Sequence, residues 1–129
     1  MSKREIPQVI TDLQAIGDRL TNPEAWNKGL FGNKEGPNCL VGAMDIIIDR
    51  DYNFLKEGGE GIRQLKQAAE RRLNTRDALS DCLSLLHRGH NSITQYNDAP
   101  ETTHENILYL IDRALKSEKK KACIIEMVV

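Results

Sequence analysis

The stretch Gly36-Pro37-Asn38-Cys39-Leu40-Val41-Gly42-Ala43-Met44 seats a cysteine at the start of a strongly apolar segment that reads as a helix. A thiol in the first turn of a helix faces unpaired backbone N–H groups and the positive end of the macrodipole, which favours the thiolate and suits a nucleophile. Nucleophilic catalysis also needs a base, often oriented by a third group. The histidines are His87, His90 and His104, with Asn97 and Asp98 as orienters. His104 would sit in the first turn of a helix shortly after Asp98, within reach of its carboxylate. Cys39 as nucleophile, His104 as base and Asp98 as orienter are thus the sharpest catalytic triplet, and they would make a hydrolase or acyl transferase. A plainer reading fits the same residues: Cys39, beside Leu40, Val41 and Ala43, fills core space, His104 occupies an exposed first turn, and Asp98 forms a turn before Ala99-Pro100.

A metal site offers less. Cys82, His87 and His90 are close in sequence, but Cys82 belongs to an apolar stripe rotated roughly 140° from His87 on a helix, and no Cys-x-x-Cys or His-x-x-x-His pair anchors them. No metal and no cofactor is expected. Gly58, Gly59 and Gly61 precede a helix without the strand or the Lys-Ser/Thr signature of a phosphate loop, so they read as a connector. The charged run from Arg63 to Arg76, Arg71 and Arg72 included, reads as a solvated face with intrahelical pairs.

The elements that must position these residues are helical. Ile6, Val9, Leu13, Ile16 and Leu20 predict an amphipathic helix over 6–20, with Pro7 tolerated in its first turn. Residues 21–38, with three glycines, two prolines, Trp26, Leu30 and Phe31, predict a structured loop held by aromatic anchors. Residues 39–48 predict a helix buried on most sides, the centre of the fold. A turn over 49–61 leads to a helix with Ile62, Leu65, Ala69 and Leu73 on one face. Asn74 or Thr75 then caps another, antiparallel to it, with Leu79, Cys82, Leu83 and Leu86 inside and Gly89 at its end. A polar connection over 91–101 precedes a capping box, Thr102 to Glu105, that opens a helix burying Ile107, Leu108, Ile111, Ala114 and Leu115. Lys116, Lys119, Lys120 and Lys121 would cap that helix's negative end. Residues 122–129, apolar and β-branched, suggest a short strand or extended tail that could pair with a second copy into a homodimer. The expected fold is a single all-α domain of about five helices around a buried central helix.

Composition narrows the setting. With 129 residues the chain suits one domain, and 18 basic against 19 acidic residues give a net charge of −1, so nothing draws it globally to nucleic acid or membrane. No apolar run is long enough to span a bilayer and the N-terminus lacks a secretory pattern. Three cysteines, an odd number without tight pairing, point to reduced thiols. A cytoplasmic protein is expected.

Three landmarks occur in order: the loop of Trp26 and Gly29, the Cys-Leu-Val-Gly-Ala-Met segment at 39–44, and Tyr-Asn-Asp-Ala-Pro-Glu-Thr-Thr-His-Glu-Asn-Ile-Leu at 96–108. Together they resemble an uncharacterised family of small bacterial and phage proteins with a Trp loop, a Cys-Leu-x-Gly-Ala helix start and an aromatic-Asn-Asp-x-Pro-x-x-Thr segment. Tyr96 stands where that family usually has Trp. The resemblance implies a helical fold, names no reaction, and marks Trp26, Cys39, Gly42, Asn97, Asp98 and Pro100. Gly42, lacking a side chain, would let the Asn97-Asp98 segment approach the central helix, making a small ligand pocket of Trp26, Tyr96, Asn97 and Asp98. The leading expectation is a binding module for a protein partner or small ligand, in a phage or host-defence context. The alternative is the cysteine enzyme.

Overall fold

Val9, Leu13, Ile16 and Leu20 recur every three or four residues and are almost wholly buried, and they turn α1 (Ile6–Leu20) toward the core, with Pro7 in its first turn. The computed structural model describes residues 5–29, 36–87 and 92–128 and contains four further α-helices: α2 (Leu40–Asp49), α3 (Gly58–Leu86), α4 (Ile93–Asp98) and α5 (His104–Val128), with a 3-10 turn at Pro23–Ala25. No strand occurs among the described residues, whose one extended pairing is an isolated bridge between Trp26 and Asn38. Leu30, Phe31, Gly32, Gly89, His90 and Val129 lie outside the described residues.

The bundle forms around α2. Leu40, Val41, Gly42, Ala43, Met44, Ile47 and Ile48 are all buried, so this helix is apolar on most of its circumference because α1, α3 and α4 surround it. α1 lies against α5, with Gly17 so close to Ile111 that a side chain there would press on the Ile111 methyl group.

Several sequence expectations are corrected. The two antiparallel helices expected on either side of Asn74 are one helix, α3, of 29 residues and about 44 Å at 1.5 Å per residue. Asn74 and Thr75, good caps in isolation, are instead 4% and 0% exposed inside it, and burial against the bundle outweighs their preference for a helix end. Gly61, Gln64, Ala68, Thr75, Ala78, Leu79, Cys82 and Leu83 of α3 face inward, while Ile62, Leu65 and Leu73 are more than half exposed. Residues 93–98 of the expected polar connection form α4, capped by the Ser92 hydroxyl and burying Ile93, Tyr96 and Asn97.

The third correction is the start of α5. Thr103 and Asn106 make the reciprocal cap, each side chain accepting from the other's backbone N–H, and Thr102 is buried outside it. The fourth is the tail. Residues 122–128 continue α5, because a helix satisfies its own backbone where no neighbouring strand is available to do so. Lys116 and Lys121 are therefore within the helix and pair with Asp112 and Glu118, rather than capping its end.

Arginines tie α3 to its neighbours, where a solvated face with intrahelical pairs was expected. Glu60–Arg63 is such a pair. Arg71, however, reaches across to the buried Asp12 of α1 at 2.6 Å and to Asp51 at 2.9 Å, and its guanidinium lies over the Tyr52 ring. Burial works against its charge, but hydrogen bonds to Asp12, Tyr52 and Asp51 raise its pKa further above the ordinary arginine range. Arg72 pairs with Asp45 and Asp49 of α2. Burial pushes the Asp45 carboxyl up in spite of that arginine.

At the start of α3, Gly58 takes a left-handed φ of 68°. A Cβ on Gly61 would overlap the Lys56 carbonyl, so the turn can fold back on the helix only where residue 61 has no side chain.

Candidate functional site

The three landmark segments meet at one buried carboxamide. Asn97, 1% exposed at the end of α4, accepts through Oδ1 from the Trp26 indole N–H at 2.7 Å and from the Leu40 backbone N–H at 3.1 Å. Its Nδ2 donates to the Asn27 carbonyl and to Asp98 Oδ1. Leu40 opens α2, so its N–H is one of the donors that a helix start leaves without an intrahelical partner. Asn97 thus joins the Trp26 loop, the first turn of α2 and α4 through a single side chain.

Neighbouring bonds close the loop. Asp98 Oδ1 also accepts from the Gly29 backbone N–H at 2.7 Å, and Gly29 adopts a φ of 77° that glycine takes without strain. Lys28 Nζ donates to the carbonyls of Ala99 and Pro100 at 2.6 and 3.2 Å. Asn38 pairs by its backbone with Ala25 and Asn27, and its Oδ1 accepts from Arg19 Nε at 2.7 Å. Sequence reasoning passed over Lys28, Asn38 and Arg19. The signal for Asn38 was its place directly before the helix-starting cysteine, in a loop that must return to the core.

Cys39 is the N-cap of α2, and its Sγ accepts from the Gly42 N–H at 3.3 Å. It is 6% exposed. His104 stands 6.1 Å from the Trp26 ring and directs Nε2 at the Leu20 carbonyl at 2.6 Å. A carbonyl can only accept, so that bond places the proton on Nε2 and leaves Nδ1 as the only nitrogen free to act as a base. No hydrogen bond joins Cys39 to His104 or His104 to Asp98 among the described residues. The structure therefore brings Trp26, Asn97 and Asp98 together, sets Cys39 on the helix they hold, and ties His104 to α1. Tyr96 points elsewhere: its hydroxyl hydrogen-bonds His87 Nε2 at 3.2 Å and its ring packs on the imidazole, while burial pushes its phenol pKa up. Cys82 lies under the Leu110 carbonyl with its thiol pKa pushed up by burial.

On another side of the bundle, α3 carries a different kind of surface. Ile62, Leu65, Ala69 and Leu73 recur at helical spacing on its outer side, with Ile62, Leu65 and Leu73 between 52% and 57% exposed. Ala69 and Leu73 also border a groove of about 460 Å³ between α2, α3 and α4, lined in addition by Val41, Met44 and Thr94, with Asp45, Arg72 and Arg76 at its edges. The helical spacing of these apolar positions is visible in the sequence; their exposure is not.

Residues 5–117 match the model of a family described as a family of unknown function (DUF6197). No curated protein and no solved structure matches the chain.

Replacing Asn97 by Ala would strand the Trp26 and Leu40 N–H groups, at a cost of about 1–3 kcal/mol for each buried donor. Asn97→Ala should therefore lose about 3 kcal/mol in urea unfolding, with the emission of the single tryptophan, Trp26, shifted to the red; a wild-type midpoint would show that the carboxamide joins nothing that matters. In native alkylation resolved by peptide mass, the exposed Cys123 should react first, and the buried Cys39 and Cys82 only as fast as the protein opens. A Cys39 that keeps pace with Cys123, and slows in His104→Ala, would favour the catalytic triplet.

Proposed function

Given that the chain belongs to the family of unknown function DUF6197 and inherits no activity from it, we propose from its geometry that it is a non-catalytic helical interaction module. The observation that carries this reading is the outward apolar stripe Ile62, Leu65, Ala69 and Leu73, which continues into the groove floored by Val41 and Met44. Apolar side chains at i, i+3, i+7 and i+11 on a helix beside a groove are the complement of an amphipathic helix. Lys66 and Arg76 border the stripe, and neither has a salt-bridge partner among the described residues. The partner is thus an amphipathic helix with carboxylates flanking its apolar face.

The cysteine hydrolase or acyl transferase is the lesser reading. Cys39 is buried and caps a helix, and the bond from His104 Nε2 to Leu20 turns one imidazole nitrogen to structural use. A protein partner is favoured over nucleic acid or membrane because the chain is nearly neutral. A cytoplasmic setting, in a phage or host-defence context, belongs to the same reading and rests on composition and on the resemblance of the three landmarks. No helix among the described residues is long and apolar enough to cross a membrane.

A displayed library of helical peptides, selected against the wild-type protein, tests the docking face. Selected peptides should carry an apolar stripe with Asp or Glu beside it, slow amide exchange over 58–76, and lose at least tenfold in affinity for Leu65→Asp/Leu73→Asp. That variant should melt as the wild type does, since both side chains are exposed. Binders indifferent to the double variant would refute the reading.

A homodimer through residues 122–129 is a second arrangement, supported by Ile124 and Ile125, each about half exposed near the end of α5. Sedimentation velocity of the full chain and of one ending at residue 121 decides it. A dimer that becomes a monomer on shortening supports this contact, and an unchanged sedimentation coefficient per unit mass removes it.

A further inference from the structure

Between α1 and the middle of α3 lies an open cleft of about 310 Å³, lined by Glu5, Gln8, Tyr52, Gln67, Glu70, Arg71 and Asn74. It is separate from the docking stripe, which faces a different side of α3. Part of its polar wall is engaged: Gln8 donates to Asp12, and Arg71 is held by Asp12, Asp51 and Tyr52. Asn74 is not. It is 4% exposed and lines the cleft, yet its carboxamide has no hydrogen-bond partner among the described residues. Its polar atoms are not sealed from solvent but open to the cleft, so the cleft is the direction from which hydrogen-bond partners come.

Charge decides what kind of partner fits. Glu5 and Glu70 line the cleft, and Asp12 and Asp51 stand behind it on Arg71. Among the described residues, four carboxylates stand around one guanidinium, which disfavours an anion and favours a cation. The cation must also donate to a neutral amide oxygen and sit beside the Tyr52 ring, which already carries Arg71 near it and stacks with Phe54. A planar group with several N–H donors meets these demands better than a compact ammonium, because it can reach Asn74 Oδ1 and a carboxylate together.

We infer that this cleft binds a guanidinium group, with Asn74 Oδ1 accepting one N–H and Glu70 and Glu5 balancing the charge. The group could arrive on a free small molecule or on an arginine side chain of a protein partner. Binding forms no covalent bond, and it gives the Asn74 carboxamide the contact that the unliganded fold lacks.

The test uses N-acetyl-arginine methylamide, its neutral citrulline counterpart, its lysine counterpart and a nine-residue peptide with arginine at its centre. Each is titrated into the full chain while the Asn74 side-chain NH2 resonances are followed by NMR. The arginine compound should shift those resonances saturably. The citrulline and lysine compounds should bind at least tenfold and about threefold more weakly, respectively. A peptide that binds more tightly than the small compound assigns the group to a protein partner; equal affinity assigns it to a free ligand, and both support the site. Asn74→Ala removes no hydrogen bond, so it should melt as the wild type does and bind at least tenfold more weakly, and Glu70→Gln should weaken binding without touching the buried wall. Absence of a saturable shift at Asn74, or citrulline binding as tightly as arginine, overturns the inference. A large loss of stability in Asn74→Ala does so as well, by assigning Asn74 a structural task. None of these outcomes bears on the α3 docking face, which the double variant tests separately.

Discussion

One carboxamide oxygen holds the Trp26 loop, the start of α2 and the end of α4 in order. Asn97 Oδ1 accepts from an indole on a loop and from the first backbone N–H of the central helix, groups far apart in sequence that must be fixed together. Without that acceptor, two donors would be removed from water with nothing in exchange, which costs more than an ordinary hydrogen bond contributes. The cap on α2, the return of the loop through Asn38, and the bonds of Lys28 and Gly29 to residues 98–100 lie around it. In the folded chain the landmark residues Trp26, Asn97 and Asp98 fasten a loop to a helix start.

Ion pairs perform a comparable task on the other side of α2. Arg71 and Arg72 are consecutive, so their side chains leave α3 about 100° apart. One meets α1 and the turn after α2, and the other meets α2 itself. A pair involving an almost fully buried Asp12 adds little net stability over an apolar contact, but it penalises any packing that leaves the carboxylate alone. Adjacent arginines on one helix thereby set its rotation and its height against two neighbours.

The fold was legible where a residue's own helix decided its fate. The period of Val9, Leu13, Ile16 and Leu20 gives α1 with both ends in place, and the dense apolar run after Cys39 gives the central helix. It was illegible where a neighbour overruled local preference. Asn74 and Thr75 favour a helix end, and only the packing of α3 along its full length keeps them inside one. Ile62, Leu65 and Leu73 carry a periodic signal identical to that of a buried face, and periodicity cannot say whether a partner is present. At the site, the sequence drew attention to Trp26, Cys39, Asn97 and Asp98, but not to the bonds among them. A carboxamide that serves as a fastening and one that binds a ligand have the same formula, and the difference lies in what surrounds each: Asn97 is fully engaged and Asn74 is not.

The uneven anchoring of α3 has an energetic consequence. Its C-terminal half buries Ala78, Leu79, Cys82 and Leu83, whereas its first third meets the bundle through Gly61, Gln64 and Ala68, small or polar residues that exclude little apolar surface. One continuous rod thus carries a steep gradient of local stability, with opening near the start far cheaper than near the end. The exposed stripe begins in that weakly held part. A partner engaging it would also suppress local opening there, so part of its binding free energy would go into ordering the host helix. Affinity at this face would therefore depend on the intrinsic helicity of solvent-facing residues that touch no partner. Evolution could adjust it gradually, by changes invisible in any list of contacts.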